Sequence, residues 1–350
     1  MKDFGSAWTP NATMSCCPNS GPRTLLHGKG EKVRILITGG LGYLGGRLAY
    51  HLLHHGHDVF VGTREKIKSV KEPLSDAVPV QMDWDNFISL ESVTRGIDVV
   101  VHAAGMDARV CSVNPTKALK VNGLNTAMMV DAAMASGVKR FIYISTSHVY
   151  RSPMIGEIDE NTSATNLHPY ATSKVAGEKA VLYAKQMGQI EGIVLRLSNG
   201  SGHPVFPDTK CWHLILNDLC KQAVEKKGLI LHSENSIERN FISMSNVCLG
   251  IEHFLQLSEN YLDGSPFNLS SKKSHSLQQL AHLIAERSIA VLGYDLEISS
   301  KSQERKNKEN RVLHLSIKKS EKTGLTLEQN LEQEIDNTLL FCKKHFYSEI

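Results

Sequence analysis

Between Val33 and Gly46 the chain reads V-R-I-L-I-T-G-G-L-G-Y-L-G-G, and no other stretch limits the possible folds as tightly. Val33, Ile35 and Ile37 belong to an apolar run of strand length and strand composition. The run breaks into glycines and then into a helical pattern, Leu44, Leu48 and Leu52 with Ala49 and Leu53. Strand, glycine turn and helix in that order form the first unit of a doubly wound nucleotide-binding sheet. Gly39, Gly42 and Gly45 keep a three-residue spacing. Glycine lets the chain turn sharply off the strand, lets backbone approach a pyrophosphate, and packs the helix closely on the sheet. The free N–H groups at the helix start, around Tyr43 and Leu44, then face the phosphates.

A chain of 350 residues can hold one large or two coupled domains. Residues 1–31 are rich in Gly, Pro, Ser and Asn and read as a loosely held extension. Residues 32–200 read as the dinucleotide-binding domain, with 238–262 returning to it, and 201–350 as a substrate-binding lobe. A formal net charge of +3 gives no argument for nucleic acid or membrane as partner. No apolar run approaches the roughly twenty residues that span a bilayer. The first 31 residues lack a signal-peptide core, so a cytoplasmic protein is expected. Seven cysteines without a C-x-x-C pair fit reduced thiols. His51, His54, His55 and His57 read as a polar helix face and turn, and no metal site is expected.

The second strand leaves through Gly62, Thr63 and Arg64, where NAD enzymes commonly place an acid for the adenosine ribose. Arg64 suits a 2′-phosphate, which favours NADP over NAD. A third strand, Val78–Met82, ends at Asp83 and Trp84, placed for the adenine. A fourth, Asp98–His102, runs into Ala103, Ala104 and Gly105, small enough for backbone to pass under a cofactor. Residues 115–137 read as one helix containing Asn122. A fifth strand, Arg140–Ser145, delivers Thr146, Ser147 and His148 to a carboxyl edge, where open α/β sheets bind ligands. Tyr170 and Lys174 share one face of the next helix. A lysine ammonium one turn away, with the positive nicotinamide of an oxidised cofactor, would lower the phenol pKa from near 10. Further strands are read at 192–198 and 238–244, further helices at 212–226, 277–291 and 327–345, and a solvated polar loop at 301–311.

Thr38-Gly39-x-x-Gly42-x-x-Gly45, Thr146 and Tyr170-x-x-x-Lys174 together resemble the extended short-chain dehydrogenase/reductase family, above all its nucleotide-sugar epimerases, dehydratases and reductases. The likeness runs from about Lys32 to Phe346. It implies an α/β fold: a Rossmann-like doubly wound parallel sheet with a smaller mixed α/β C-terminal lobe. Tyr170 would be the acid/base, and Lys174 would lower its pKa and hold the nicotinamide ribose. Thr146 would hydrogen-bond the reacting oxygen, with Ser147 a second contact. Asn122 matches a cofactor-domain asparagine, and backbone near Leu197 would meet the nicotinamide. Asn199 would contact the sugar nucleotide, and Arg239 would hold its diphosphate. Two departures touch the substrate side: Asn240 and Asn246 replace usual aspartates, and Gly200-Ser201-Gly202 replaces a common V-Y-G-P.

A dehydratase of this family follows its threonine with an acid, whereas this chain has Ser147 and His148. Thr63 and Arg64 favour exchangeable NADPH. The expectation is therefore an NADP(H)-dependent reductase of a keto group on a nucleotide-linked sugar, of 4-keto-6-deoxy type, with Tyr170 as proton donor. An NAD-dependent epimerase is the alternative, for which His148 and His203 could line the sugar. An NADP-sensing regulatory or scaffold protein is another, though it has no need of intact Thr146, Tyr170 and Lys174. An apolar steroid-like substrate would leave Arg239 and Asn199 without purpose. By the same resemblance, a homodimer through the helices carrying Asn122 and Tyr170 is expected.

Overall fold

A computed structural model describes residues 32–231, 238–300 and 312–347. The N-terminal extension and the charge run 301–311 lie outside the described residues. The first half alternates strand and helix: β1 (Arg34–Thr38), α1 (Tyr43–His54), β2 (Asp58–Thr63), β3 (Val78–Gln81), α2 (Phe87–Thr94) and β4 (Val99–His102). Next come α3 (Ala108–Val113), α4 (Pro115–Ala118), a π-helical turn at Leu119–Leu124, α5 (Asn125–Ala135) and β5 (Arg140–Thr146). The single helix expected over 115–137 is thus two α-helices joined by a wider turn, and Asn122 lies in that turn. There follow β6 (Gly156–Ile158), α6 (Pro169–Gln186), β7 (Glu191–Leu197) and β8 (Asn199–Ser201).

The rest is less regular: α7 (Ile215–Lys226), β9 (Gly228–Leu231), β10 (Arg239–Ser243), α8 (Met244–Leu255), β11 (Phe267–Leu269) and β12 (Ser274–His275). It closes with α9 (Leu277–Leu292), β13 (Glu297–Ser300), β14 (Leu313–Leu315), α10 (Lys318–Glu321) and α11 (Leu331–Phe346). The seven-stranded sheet runs β11-β7-β5-β4-β1-β2-β3, with every pairing parallel. From β1 the chain winds outward through β2 and β3, then returns to build the other side from β4. The order therefore reverses between β1 and β4, and the crevice beyond their carboxyl ends is where such sheets take ligands.

Both faces of this Rossmann-like sheet are covered, so its inner strands read as unbroken apolar runs. All four residues of β4 and all seven of β5 are buried. Ile35 and Ile37 face a core shared with Leu48 and Leu52 of α1 and Val247, Ile251 and Phe254 of α8. Leu36 points the other way, into a core with Leu90 of α2, Met129 of α5 and Val181 of α6. Buried Arg140 pairs with Glu191 at 2.5 Å and donates to the carbonyls of Phe254, Leu255 and Leu257. It thereby satisfies the C-terminal end of α8 and fixes that helix to the sheet. A third core gathers Leu219 and Ala223 of α7, Leu280 and Ile284 of α9, and Ile335 and Leu339 of α11. Arg47 of α1, bonded at 2.9 Å to buried Glu334 of α11, ties that lobe to the sheet.

Candidate active site

The turn from β1 to α1 depends on absent side chains. Gly39 has φ +66°, and a Cβ there would stand 3.0 Å from the Ala104 backbone. Gly42 precedes α1 and offers no side-chain cap, and the first helical turn carries no acid. The first intrahelical bond at this end is Gly46 N–H to Gly42 O, 2.8 Å. The N–H groups of Tyr43, Leu44 and Gly45 therefore have no helical acceptor and carry the positive end of the dipole. A Cβ on Gly45 would meet the Gly39 carbonyl oxygen at 2.2 Å. Gly45→Ala must therefore push backbone apart at the cradle, and we expect dinucleotide affinity to fall by about tenfold, roughly 1.4 kcal/mol. A fluorescence titration checks this; unchanged affinity would show that the turn yields freely.

Across the crevice the Ala103–Gly105 segment is held on both sides. Ala104 N–H donates to Thr38 Oγ1 at 3.1 Å, and Thr38 Oγ1 lies 2.8 Å from His102 Nδ1. Burial lowers the His102 pKa to about 3, so this imidazole is neutral. Asn122 accepts from Met106 N–H at 2.8 Å and donates to Ser173 Oγ at 3.0 Å. A Cβ on Gly105 would come within 3.0 Å of Asn122 Oδ1 and 3.3 Å of Lys174 Nζ. The wider turn around Asn122 thus positions a side chain that links the crevice to α6.

Toward the adenosine side, Thr63 Oγ1 accepts from Glu65 N–H at 3.2 Å. Arg64 is exposed and has no ion pair among the described residues. Asp83 is exposed and accepts from Asp85 N–H at 3.1 Å. Trp84 is half-buried, its ring edge-on to His102 at 5.8 Å.

Thr146 ends β5, and its Oγ1 accepts from His148 N–H at 3.2 Å. Tyr170 sits in the first turn of α6, with its hydroxyl hydrogen-bonded to the Thr146 hydroxyl. The helix start is fixed by His168, whose Nδ1 accepts from Tyr170 N–H at 3.1 Å and whose Nε2 lies 2.7 Å from Ser112 Oγ. Sequence reasoning missed this cap, because histidine is not among the usual capping residues. Burial pushes the Tyr170 phenol up to about 12, with the Thr146 bond pulling the other way. That differs from the lowered pKa expected from Lys174. The reason is geometric: the Lys174 ammonium is drawn to Ile144 O at 2.9 Å and stands 4.9 Å from the centre of the Tyr143 ring. Burial brings Lys174 itself down to about 8, against the opposing pull of Glu178. Glu178 is in turn held by Arg196 at 2.6 Å and by Ser145 at 2.5 Å.

The opposite wall carries polar atoms with nothing to bond. Ser147 Oγ, Ser198 Oγ, Arg239 Nη1 and His275 Nδ1 are all buried without a hydrogen-bond partner. Buried groups of this kind are normally satisfied, so they mark where a polar ligand fits. Arg239 on β10 pairs directly across from His275 on β12. His148 Nε2 lies 3.3 Å from Asn199 Oδ1, and Asn199 Nδ2 donates to Asn240 O at 2.7 Å. The charge of Arg239 reaches His148 and helps hold the imidazole pKa down, after the larger effect of burial. Leu197 lies beside Thr146 and Leu269 in register. His203 is engaged elsewhere: its ring stacks on Phe341 at 4.9 Å and its Nδ1 bonds Pro204 O. Tyr43 closes the α1 end, its hydroxyl donating to Gly202 O at 2.8 Å.

Comparisons with known proteins agree with this geometry. An uncharacterized UDP-glucose epimerase of Bacillus subtilis, YtcB, is 28% identical over 316 residues, covering 85% of this chain and 96% of that protein. A dTDP-D-glucose 4,6-dehydratase of Mus musculus is 27% identical over 259 residues, 71% of each chain. The crystal structure of a UDP-glucose 4-epimerase with UDP-glucose from Thermotoga maritima superimposes with a TM-score of 0.74 at 20% identity, covering 89% of this chain and 98% of that one. Residues 35–270, which contain the glycine cradle, Thr146, Tyr170, Lys174 and Arg239, match a single family description. The chain belongs to the NAD dependent epimerase/dehydratase family.

Proposed function

We propose that this enzyme exchanges hydride with a carbinol or keto carbon of a sugar carried on a nucleoside diphosphate, as a 4-epimerase that keeps its NAD through both half-reactions. The observation that carries this is the hydrogen-bonded Thr146 and Tyr170 hydroxyls lying between the glycine cradle and the unpartnered guanidinium of Arg239. The cradle fits a dinucleotide, because added Cβ atoms would fill it and its N–H groups are free. When bound, the nicotinamide supplies hydride acceptance and donation. The chain supplies the proton: a phenol held near 12 stays protonated at neutral pH and can donate to a substrate oxygen fixed by Thr146. Arg239 provides a fixed charge for the diphosphate, and His275 and Ser147 offer further partners. Neither Ser147 nor His148 is an acid, which argues against elimination of water. The relative matched over 96% of its length carries an epimerase name, whereas the dehydratase matches over 71%.

Arg64 supports a second reading. Exposed and unpaired at the exit of β2, it suits a 2′-phosphate and hence an NADPH-dependent ketoreductase of a 4-keto-6-deoxy sugar nucleotide. Titration of the protein and of Arg64→Glu with NADPH and NADH separates the two. Retained NAD with no preference for the 2′-phosphate is the expected epimerase result. A preference for NADPH of about tenfold or more, lost in Arg64→Glu, would favour the reductase. Failure to bind either nucleotide would overturn both. In either reading two copies pair through α4 to α6, and exposed Val113, Leu119, Leu124 and Tyr183 on these elements support it.

A further inference from the structure

A second cluster lies at the far end of α1 from the glycine cradle. His51 and His55 are one turn apart, so they share a face, and their ring centres are 4.1 Å apart. α8 packs beside α1 and brings Glu252 to both. His51 Nε2 is 2.8 Å from one carboxylate oxygen, and His55 Nδ1 is 2.6 Å from the other. One donor atom from each of the three residues lies within 4.8 Å of the other two. The cluster is open to solvent on one side: the His55 side chain is 43% exposed, while His51 and Glu252 are 17% and 19% exposed.

His57 completes the surroundings. It is buried, and its Nδ1 accepts from Val33 N–H at 3.4 Å. A neutral imidazole that accepts at Nδ1 carries its proton on Nε2, and that nitrogen lies 3.9 Å from Glu252. His57 therefore steadies the carboxylate without competing as a ligand, as outer partners of metal ligands do. Two imidazoles and one carboxylate are a donor set for first-row divalent cations; all-oxygen sites suit calcium or magnesium instead.

We propose that His51, His55 and Glu252 bind a divalent transition-metal ion of the zinc type, with water at the remaining position, and that the ion clips α1 to α8. The site is separate from the reacting centre and stands whichever reaction the enzyme performs. Its consequence is mechanical: α1 is the helix whose other end faces the dinucleotide, and the ion fixes it against the helix that Arg140 already anchors to the sheet.

The test uses full-length protein without a histidine tag, stripped with a chelator and titrated with Zn²⁺, then with Co²⁺ as a spectroscopic probe. The expected result is one equivalent bound, with nitrogen and oxygen d–d bands and no thiolate charge-transfer band. Melting temperature should rise by about 3 to 6 °C at a hundredfold excess over the dissociation constant. His55→Ala, which changes the most exposed of the three, should weaken binding by roughly 10- to 100-fold while leaving the metal-free melt unchanged. His54→Ala should bind as wild type, since His54 turns onto Tyr50 O at 2.8 Å. No saturable binding, a thiolate spectrum, or equal affinity in wild type and His55→Ala would overturn the proposal.

Discussion

Tyr170→Phe lowers kcat by roughly 10²- to 10⁴-fold and leaves the fold and the dinucleotide affinity nearly intact. Only one hydroxyl is removed. The ring remains, and the helix start does not depend on the lost group, because His168 caps through the Tyr170 backbone N–H. Thr146 Oγ1 keeps its bond from His148 N–H, so the neighbouring hydroxyl stays placed. Losing the Tyr170 to Thr146 bond should alter stability by only about 1 kcal/mol. What disappears is the proton donor, and nothing else near Thr146 replaces it. Ser147 is neutral, and burial disfavours the charged form of His148. Steady-state turnover of a sugar nucleotide, read beside a titration with the reduced dinucleotide, checks both halves. A variant retaining more than about a tenth of wild-type kcat would move the proton donor away from Tyr170.

The motifs legible in the sequence are those in which a local backbone demand fixes the residue. Gly39 must take φ +66° beneath Ala104, and Gly45 must leave room for the Gly39 carbonyl, so both positions announce themselves as glycine. Tyr170 and Lys174 announce themselves through helical spacing alone. The alternation from β1 to β7 was readable for the same reason, since strands buried on both faces are apolar without interruption. What was not readable depends on partners distant in sequence. β11 is three residues, F-N-L, and becomes the seventh strand only because β7 offers an edge to pair with. The π-helical turn at Leu119–Leu124 is hidden in a stretch whose composition suits an ordinary helix. His203 looked like a pocket residue from its neighbours in sequence, yet α11 supplies Phe341 for it to stack on. Charge states suffered most: Lys174 and Tyr170 share a helix face, but the Ile144 carbonyl decides where the ammonium goes.

That placement makes the largest stability prediction the reverse of what a lost interaction suggests: Lys174→Met should stabilise the protein at neutral pH while lowering kcat/KM by about 10²-fold or more. Lys174 is 5% exposed, and burial has brought its pKa down to about 8. Against an unfolded value near 10.4, at about 1.4 kcal/mol per unit, holding the charge there costs on the order of 3 kcal/mol. The hydrogen bond to Ile144 O returns about 1 kcal/mol. Methionine fills a similar volume and sets a sulfur near the Tyr143 ring, so a net gain of roughly 1 to 2 kcal/mol is expected. The sign of the pH dependence follows. Between about pH 8 and 10.4 the unfolded wild type binds the proton that the folded wild type has released, so wild-type stability rises across that window. The advantage of Lys174→Met should therefore be full below pH 8 and fade as pH climbs toward 10.4. Denaturant melts of both proteins at pH 7 and pH 10 read it directly. A variant less stable than wild type at pH 7 would mean that the ammonium is net favourable where it lies. A variant that gains stability and loses turnover would mark Lys174 as a charge kept in a desolvated place for the sake of the reaction.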